Sequence, residues 1–329
     1  MEMAVEASAP GKIILFGEHS VVYRGPAIAI AIDRRARVTA EERGDKKIFI
    51  EAVDLGVAGF FEEGAYKPVK GGMRGEVSLR AIDASARHTM GHIGRSGGVS
   101  LRVSSEIPIA VGLGSSAAIC VATVAALGEL LGGGLSKEEI CNLAFEGERI
   151  IHGSPSGIDN NVSTHGGVLR YERGEGYERF DPDVEIPLIV GNTGLRRSTR
   201  RMVEKVRGIW EKEGEIVDGI IDLLGHISTY GLDSLLKGDL QRMGTLMNIS
   251  HGLLSSLGVS CPELDLLVYA ARSAGAMGAK LTGAGGGGCM VALATENRLG
   301  KVEEAIASSG GEPMRVRFSS EGVTVRRVT

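Results

Sequence analysis

The segment Pro108-Ile-Ala-Val-Gly-Leu-Gly-Ser-Ser-Ala-Ala118 decides how this 329-residue chain is read. Its glycines let the backbone turn so that successive N–H groups converge. Ser115 then opens a helix that is apolar on nearly every side to about Leu131, the pattern of a buried helix. Unpaired amides at the start of such a helix, with the positive end of its dipole, form an anion site that needs no lysine. Serine hydroxyls there can also ligate a Mg2+ that accompanies a triphosphate. A plain tight turn with a serine cap would be spelled in the same way. Gly112, Gly114 and Ala117 also spell GxGxxA, the dinucleotide fingerprint, which must follow a strand directly and be answered by an acid at the end of the next strand. Pro108 breaks that approach, and the acid at a suitable distance, Glu129, lies inside the helix. The dinucleotide reading loses on context.

Two more glycine-bearing loops stand far from this segment. Lys280-Leu-Thr-Gly-Ala-Gly-Gly-Gly-Gly-Cys289 runs into the apolar strand Cys289–Ala294, not into a helix. A glycine run before a strand suits a floor against which a ligand or another backbone packs, although a flexible linker has the same composition. In Ala9-Pro-Gly-Lys-Ile-Ile-Leu-Phe-Gly-Glu-His-Ser-Val-Val-Tyr23, Lys12 enters an apolar strand at its polar edge, and Glu18 and His19 leave it after a glycine. No GxxxxGK[ST] occurs, so Lys12 is not a Walker lysine.

The composition sets the frame for these loops. The 49 glycines are about twice the ordinary share of roughly 7%, which the three loops partly explain. With 43% hydrophobic and 24% charged residues the chain reads as a globular protein, and 329 residues suggest two domains. A net charge of −4 offers nucleic acid no basic surface. Cys120, Cys141, Cys261 and Cys289 form no CxxC pair, so buried thiols in a reducing compartment are expected in place of a zinc site or disulfides. The start lacks the pattern of a signal peptide, and the longest apolar stretch, Ala117 to Leu127, is too short to span a bilayer. A cytoplasmic protein with neither nucleic-acid nor membrane partners is expected.

Along the chain, strands are predicted at Ile13–Phe16, Ala27–Ile32, Ala36–Glu41, Lys47–Glu51 and Val99–Val103, with turns at Gly25-Pro26 and Gly44-Asp45. Residues 54–96 are weakly patterned until a helix over Ser78–Ile93. Ser136 with Glu139 three residues on is a capping box, opening a helix that stops near Gly153-Ser154-Pro155. Val168–Tyr171 and Ile186–Val190 read as strands, and a domain boundary falls near residue 185, giving 1–185 and 186–329. Helices follow at Thr199–Glu213, Glu215–Gly225, Leu240–Leu257, Pro262–Ala274 and Asn297–Ser309, with a closing hairpin from 314–318 and 323–328. Strands and helices mix without regular βαβ alternation, so the fold class is α+β.

The three loops in this order resemble the GHMP kinase superfamily, named for galactokinase, homoserine kinase, mevalonate kinase and phosphomevalonate kinase. PGKIILFGEHSVVY, PIAVGLGSSAA and KLTGAGGGGC look like its three motifs and reach from residue 10 to 289. Within it, Glu18-His19-Ser20-Val21-Val22-Tyr23 has valine where galactokinases usually carry a sugar-binding aspartate. Ser156-Gly157-Ile158-Asp159-Asn160, Arg197-Ser198-Thr199 and the run from Met247 through Cys289 are similar to the branch that acts on mevalonate. The resemblance implies an N-terminal domain like ribosomal protein S5 domain 2, a ferredoxin-like C-terminal domain, and a site between them.

It further implies transfer of the ATP γ-phosphoryl group to the 5-hydroxyl of (R)-mevalonate, with Mg2+, by a homodimer. Pro108, Gly112, Leu113, Gly114, Ser115, Ser116, Ala117 and Gly285 would hold the nucleotide. Ser115 or Ser116, with Glu148, would ligate Mg2+. Helix geometry supports Glu148 separately: with Ile140, Leu143, Ala144, Gly147 and Ile151 buried, it borders the apolar stripe while Arg149 points away. A rim acid on the helix surface would be placed alike. Asp159, a loop carboxylate by this reading, is the implied base with Lys12 beside it; an Asx-turn is the plain alternative. Glu18, His19 and Thr199 would line the acceptor pocket, while Arg196, Arg197, Arg200 and Arg201 also fit a solvated helix start. Phosphomevalonate and homoserine kinases, or a nucleotide-binding regulator without catalysis, remain as alternatives.

Overall fold

The computed structural model describes residues 4–62, 64–108, 111–152, 156–196 and 198–328. The chain opens with the long strand β1 (Ala4–Phe16), a single turn α1 (Ser20–Tyr23) and β2 (Ala27–Arg43). Then come β3 (Ile48–Ala52), β4 (Val57–Glu62), β5 (Ala65–Lys70), α2 (Arg74–Ile93) and β6 (Gly98–Ser105). Helices α3 (Ser115–Leu130), α4 (Lys137–His152) and α5 (Ile158–His165) lead to the hairpin β7 (Val168–Glu172) and β8 (Gly176–Phe180). The second half runs β9 (Leu188–Asn192), α6 (Thr199–Trp210), α7 (Gly214–Leu236), α8 (Leu240–Ser256), α9 (Pro262–Ser273), β10 (Gly278–Leu281) and β11 (Cys289–Leu293). It closes with α10 (Leu299–Ser308), β12 (Glu312–Val316) and β13 (Thr324–Val328).

Two sheets carry the architecture. The first has strand order β13-β1-β2-β6-β3-β4-β5, with β7 and β8 added beside the start of β2; the second has order β10-β11-β9-β12. Helices α2 to α5 pack around the first sheet, and α3 lies against both β1 and β2. Almost every α3 side chain is buried, from Ala117 through Leu127. Each buried Val or Leu contributes roughly 1.5–3 kcal/mol, so α3 is fixed by burial on all sides. One apolar cluster runs from Val5 and Ile13 through Leu127 to Val190 and Val291, joining residues of the two sheets.

Local chemistry sets the helix ends. At α4 the predicted capping box forms in full: Ser136 Oγ accepts from Glu139 N at 3.2 Å, and Glu139 Oε2 accepts from Ser136 N at 2.8 Å. Helix α9 starts with Pro262 and carries Glu263 and Asp265 in its first turn, where the dipole favours acids. The predicted stop of α4 at Gly153-Ser154-Pro155 lies outside the described residues.

The structure corrects three expectations. The strands placed at Ala27–Ile32 and Ala36–Glu41 are one continuous β2, kept in register with β1 by an irregularity between Pro10 and Gly11. Within residues 54–96, β4 and β5 form an antiparallel pair, and the Tyr66 ring fits where Gly59 and Gly75 have no Cβ. Most consequentially, the last two strands are not a hairpin. β12 pairs with β9 in the second sheet, whereas β13 pairs with β1 in the first. The connection is held by partners in the first half of the chain: Ser319 N donates to Ala31 O at 3.0 Å, Gly167 N to Ser319 O at 2.9 Å and Val323 N to Thr164 O at 3.1 Å. Arg35 adds bonds to Gly322 O at 2.6 Å and Ser8 O at 3.0 Å. Alternation marks a strand but not its partner, and here a waiting β1 edge satisfies the backbone.

This return strap depends on bare backbone. A Cβ on Gly322 would sit 2.1 Å from Thr164 O, and one on Gly166 would sit 2.3 Å from Gly322 N. Gly322→Ala is expected to cost about 2 kcal/mol or more, read as a lower urea midpoint. Gly219→Ala in α7, where a Cβ meets nothing within 4 Å, should stabilise by up to about 1 kcal/mol. Equal midpoints for the two variants would refute the strap.

Candidate active site

Numbered in chain order, with residues 280–289 as the third, the first and second glycine loops (residues 9–23 and 108–118) meet at Lys12. Its N–H donates to Leu113 O at 2.8 Å, and its ammonium lies 3.1 Å from Asp159 Oδ1. Gly11 and Gly114 make this approach possible: a Cβ on Gly11 would be 2.9 Å from Leu113 O, and one on Gly114 would be 3.0 Å from Lys12 Cγ. The Lys12 side chain is 6% exposed and that of Asp159 is 34% exposed. The ammonium is thus sunk in the protein while the carboxylate faces open space.

Asp159 stands in the first turn of α5, not in a loop as its sequence suggested. Gly157 at φ 81 turns the chain into this eight-residue helix, too short to show periodicity. Ser163 Oγ, one turn on, donates to Pro10 O at 2.8 Å and ties α5 to β1 beside Lys12.

At the start of α3 the cap is Gly114 at φ 78, and no side chain caps the helix. The serine-cap alternative therefore falls away. The first amides of α3 are left for another acceptor, at the positive end of a helix dipole. Ser115 is buried with its Oγ 3.3 Å from Ser105 Oγ, while Ser116 and Gly112 are half-buried and Leu113 and Ala117 are buried. Pro108 is half-buried where the loop begins. Glu148 is 3% exposed. Its helix packs closely at Gly147, whose Cβ would lie 2.0 Å from Ser85 Oγ and 3.3 Å from Cys120 Sγ. Burial, aided by the nearby Glu148 charge, pushes the Cys120 thiol up to about 12.

The third loop meets the first. Gly283, Gly285, Gly286, Gly287 and Gly288 all have positive φ. A Cβ on Gly285 would be 2.0 Å from Val259 O, and Gly286 N donates to the same carbonyl at 2.8 Å. The glycine run is thus packed against backbone, which rules out a free linker. His19 has φ 62, alone among described non-glycine residues in being positive, and its Nε2 pairs with Ala284 O at 2.9 Å. Such a backbone costs on the order of 1–3 kcal/mol and persists where surroundings enforce it.

Glu18 and His19 are both buried, with side-chain contacts into the second half of the chain. Thr199 is set apart: it is the exposed first residue of α6. That helix reaches the third loop through Met202, whose sulfur would lie 2.6 Å from a Cβ on Gly286. Arg196, Arg200 and Arg201 are exposed, with Arg200 paired to Glu204 at 2.8 Å, while Arg197 lies outside the described residues.

Sequence reasoning missed Lys280. In sequence it is simply the residue before the glycine loop, yet its side chain is completely buried, bonded to Glu18 Oε1 and to Leu281 O at 2.7 Å. A lysine within an otherwise apolar four-residue strand was the available signal. His251 supports the same strand, for Leu281 N donates to its Nδ1 at 3.3 Å. Nε2 therefore carries the proton and donates to Asp265 Oδ1 at 3.1 Å.

Comparison with known proteins defines the class. The family model of the GHMP kinases N terminal domain matches residues 78–167, and that of the GHMP kinases C terminal matches residues 232–312. The chain belongs to the GHMP kinase family, and within it groups with the mevalonate kinases. The mevalonate kinase of Thermococcus sibiricus is 44% identical and that of Pyrococcus furiosus 45% identical, each with 99% of both chains covered. The crystal structure of L. major mevalonate kinase in complex with R-mevalonate superposes with a TM-score of 0.83 at 29% identity, covering 96% of each chain. Among the described residues no helix is long and apolar enough to cross a membrane.

Burial, then the charge of Arg272, lowers His251 to about 4, outweighing Asp265. A folded-state value below the unfolded 6.5 means full stability above pH 6.5, lost as pH falls toward 4. Replacing His251 with Gln should remove a loss on the order of 3 kcal/mol between those limits. Denaturation curves at pH 7 and pH 4 check this; an unchanged pH slope in the variant contradicts it.

Proposed function

We propose that the protein transfers the γ-phosphoryl group of ATP to the 5-hydroxyl of (R)-mevalonate, a step toward isoprenoids. One observation carries the reading: a lysine–carboxylate pair sits directly beside an uncapped helix N-terminus. Phosphoryl transfer makes little covalent demand on a protein, so placing the acceptor and neutralising spreading charge supply most of the rate. The amides at the start of α3 would cradle the phosphates, with Pro108 and residues 112–117 as the loop and Gly285 in its floor. Asp159 would accept or orient the hydroxyl proton, and the Lys12 ammonium would stabilise the oxygens of the group in transit.

Serine hydroxyls and a buried carboxylate are hard oxygen donors, the chemistry Mg2+ selects. Ser115 or Ser116 and Glu148 would hold the ion. When bound it would neutralise phosphate charge and orient the triphosphate.

Glu18, His19 and Thr199 would contact mevalonate. Among the described residues, the buried cation bonded to this group, Lys280, is already engaged by Glu18 and so offers no charge to a second phosphate. This favours mevalonate over phosphomevalonate. We place the division between halves near residue 185, with β13 returning to the first half. Free thiols fit a reducing cytoplasm, and a homodimer is carried from the family resemblance.

A coupled ADP-release assay with mevalonate, phosphomevalonate, homoserine and galactose tests the reading. Mevalonate should exceed each other acceptor by roughly 100-fold or more in kcat/KM. Turnover of homoserine, galactose or phosphomevalonate without mevalonate would overturn it.

A further inference from the structure

Every second residue from Lys280 reaches across to the N-terminal half. The Lys280 ammonium bonds Glu18 Oε1, Thr282 Oγ1 donates to Ile14 O at 2.9 Å, and Ala284 O pairs with His19 Nε2 at 2.9 Å. Two consecutive residues, Glu18 and His19, are thereby gripped from the same segment. Lys280 is wholly buried and the Glu18 side chain is 1% exposed. Among the described residues, Lys280 is the only cation paired with Glu18, whose Oε2 is buried without a hydrogen-bond partner.

Stability does not account for this pair. Taking both charges out of water costs much of what their attraction returns, and apolar replacements of similar volume are often neutral or stabilising. What a fixed ion pair supplies is direction. Here it sets the residue immediately before His19, the one described non-glycine position with a positive φ.

We propose that Lys280 is a positioning residue for the acceptor alcohol: through Glu18 it holds the His19 backbone in its strained form, and so sets acceptor affinity without touching acceptor or nucleotide. This rests on the reading of Glu18 and His19 as the acceptor pocket. Lys280 acts only by way of Glu18, so its effect exists only while Glu18 carries a carboxylate.

The test is a cycle of Lys280→Met, Glu18→Gln and the double variant, with KM measured separately for mevalonate and ATP. Lys280→Met should raise KM for mevalonate roughly tenfold or more, leaving KM for ATP within about twofold. In the Glu18→Gln background the same change should add less than about twofold. A purely structural role would move both KM values together, and an independent role would make the two changes additive; either result overturns the proposal. If Lys280→Met alone does not fold, the double variant, which leaves no lone buried charge, is compared with Glu18→Gln, and a tenfold difference in KM for mevalonate refutes it.

The wild-type enzyme separates this from the functional reading, because absent mevalonate turnover would condemn that reading alone. The positioning claim then stands on the imidazole 15N resonances of His19, assigned by their loss in His19→Gln. They should shift in Lys280→Met, and unmoved resonances would overturn the claim.

Discussion

The ion pair between Lys12 and Asp159, 3.1 Å apart, is the contact around which the molecule is arranged. Lys12 belongs to β1 and Asp159 to α5, and neither would be where it is without a third element. The Lys12 N–H is bonded to Leu113 in the loop before α3, which fixes the distance between the strand and the helix N-terminus. Ser163 bonds Pro10, which fixes α5 on the strand. Burial of α3 on all sides then prevents that helix from sliding to relieve any of these contacts. A half-exposed carboxylate, a buried ammonium and a helix dipole thus converge on one region.

Such convergence needs backbones to approach more closely than side chains permit, and this explains the glycine content. At Gly11 and Gly114 the missing Cβ admits the first loop to the second. At Gly285 and Gly286 it admits the third loop to Val259 and Met202. The same device closes the chain, where Gly322 meets Thr164 in the last turn of the carboxylate helix. The terminal strap therefore braces the far end of α5, the helix that begins with the catalytic candidate.

What could be read from the sequence follows from how local each cause is. A glycine that must turn, a capping box such as Ser136 with Glu139, and a helix with no polar face are all written within a few residues. They located the three loops, α3 and α4. The partner of a strand is not local: residues 324–328 look like half of a hairpin, yet pair with residues 4–8 at the opposite end of the chain. Asp159 was read as a loop residue because α5 is only eight residues long. Lys280 and Glu18 are 262 positions apart, and nothing near either residue names the other. Buried pairs of this kind become visible only when the chain is folded.

The central claim is that Lys12 and Asp159 work as one unit in the phosphoryl-transfer step. Rapid-quench single-turnover rates for Lys12→Met, Asp159→Asn and the double variant, with enzyme saturated by ATP and mevalonate, test it most directly. The account predicts that each single change slows transfer by roughly a thousandfold, and that the double variant is slower than the worse single by no more than about threefold. Losses that multiply, with the double variant near the product of the two singles, would contradict it.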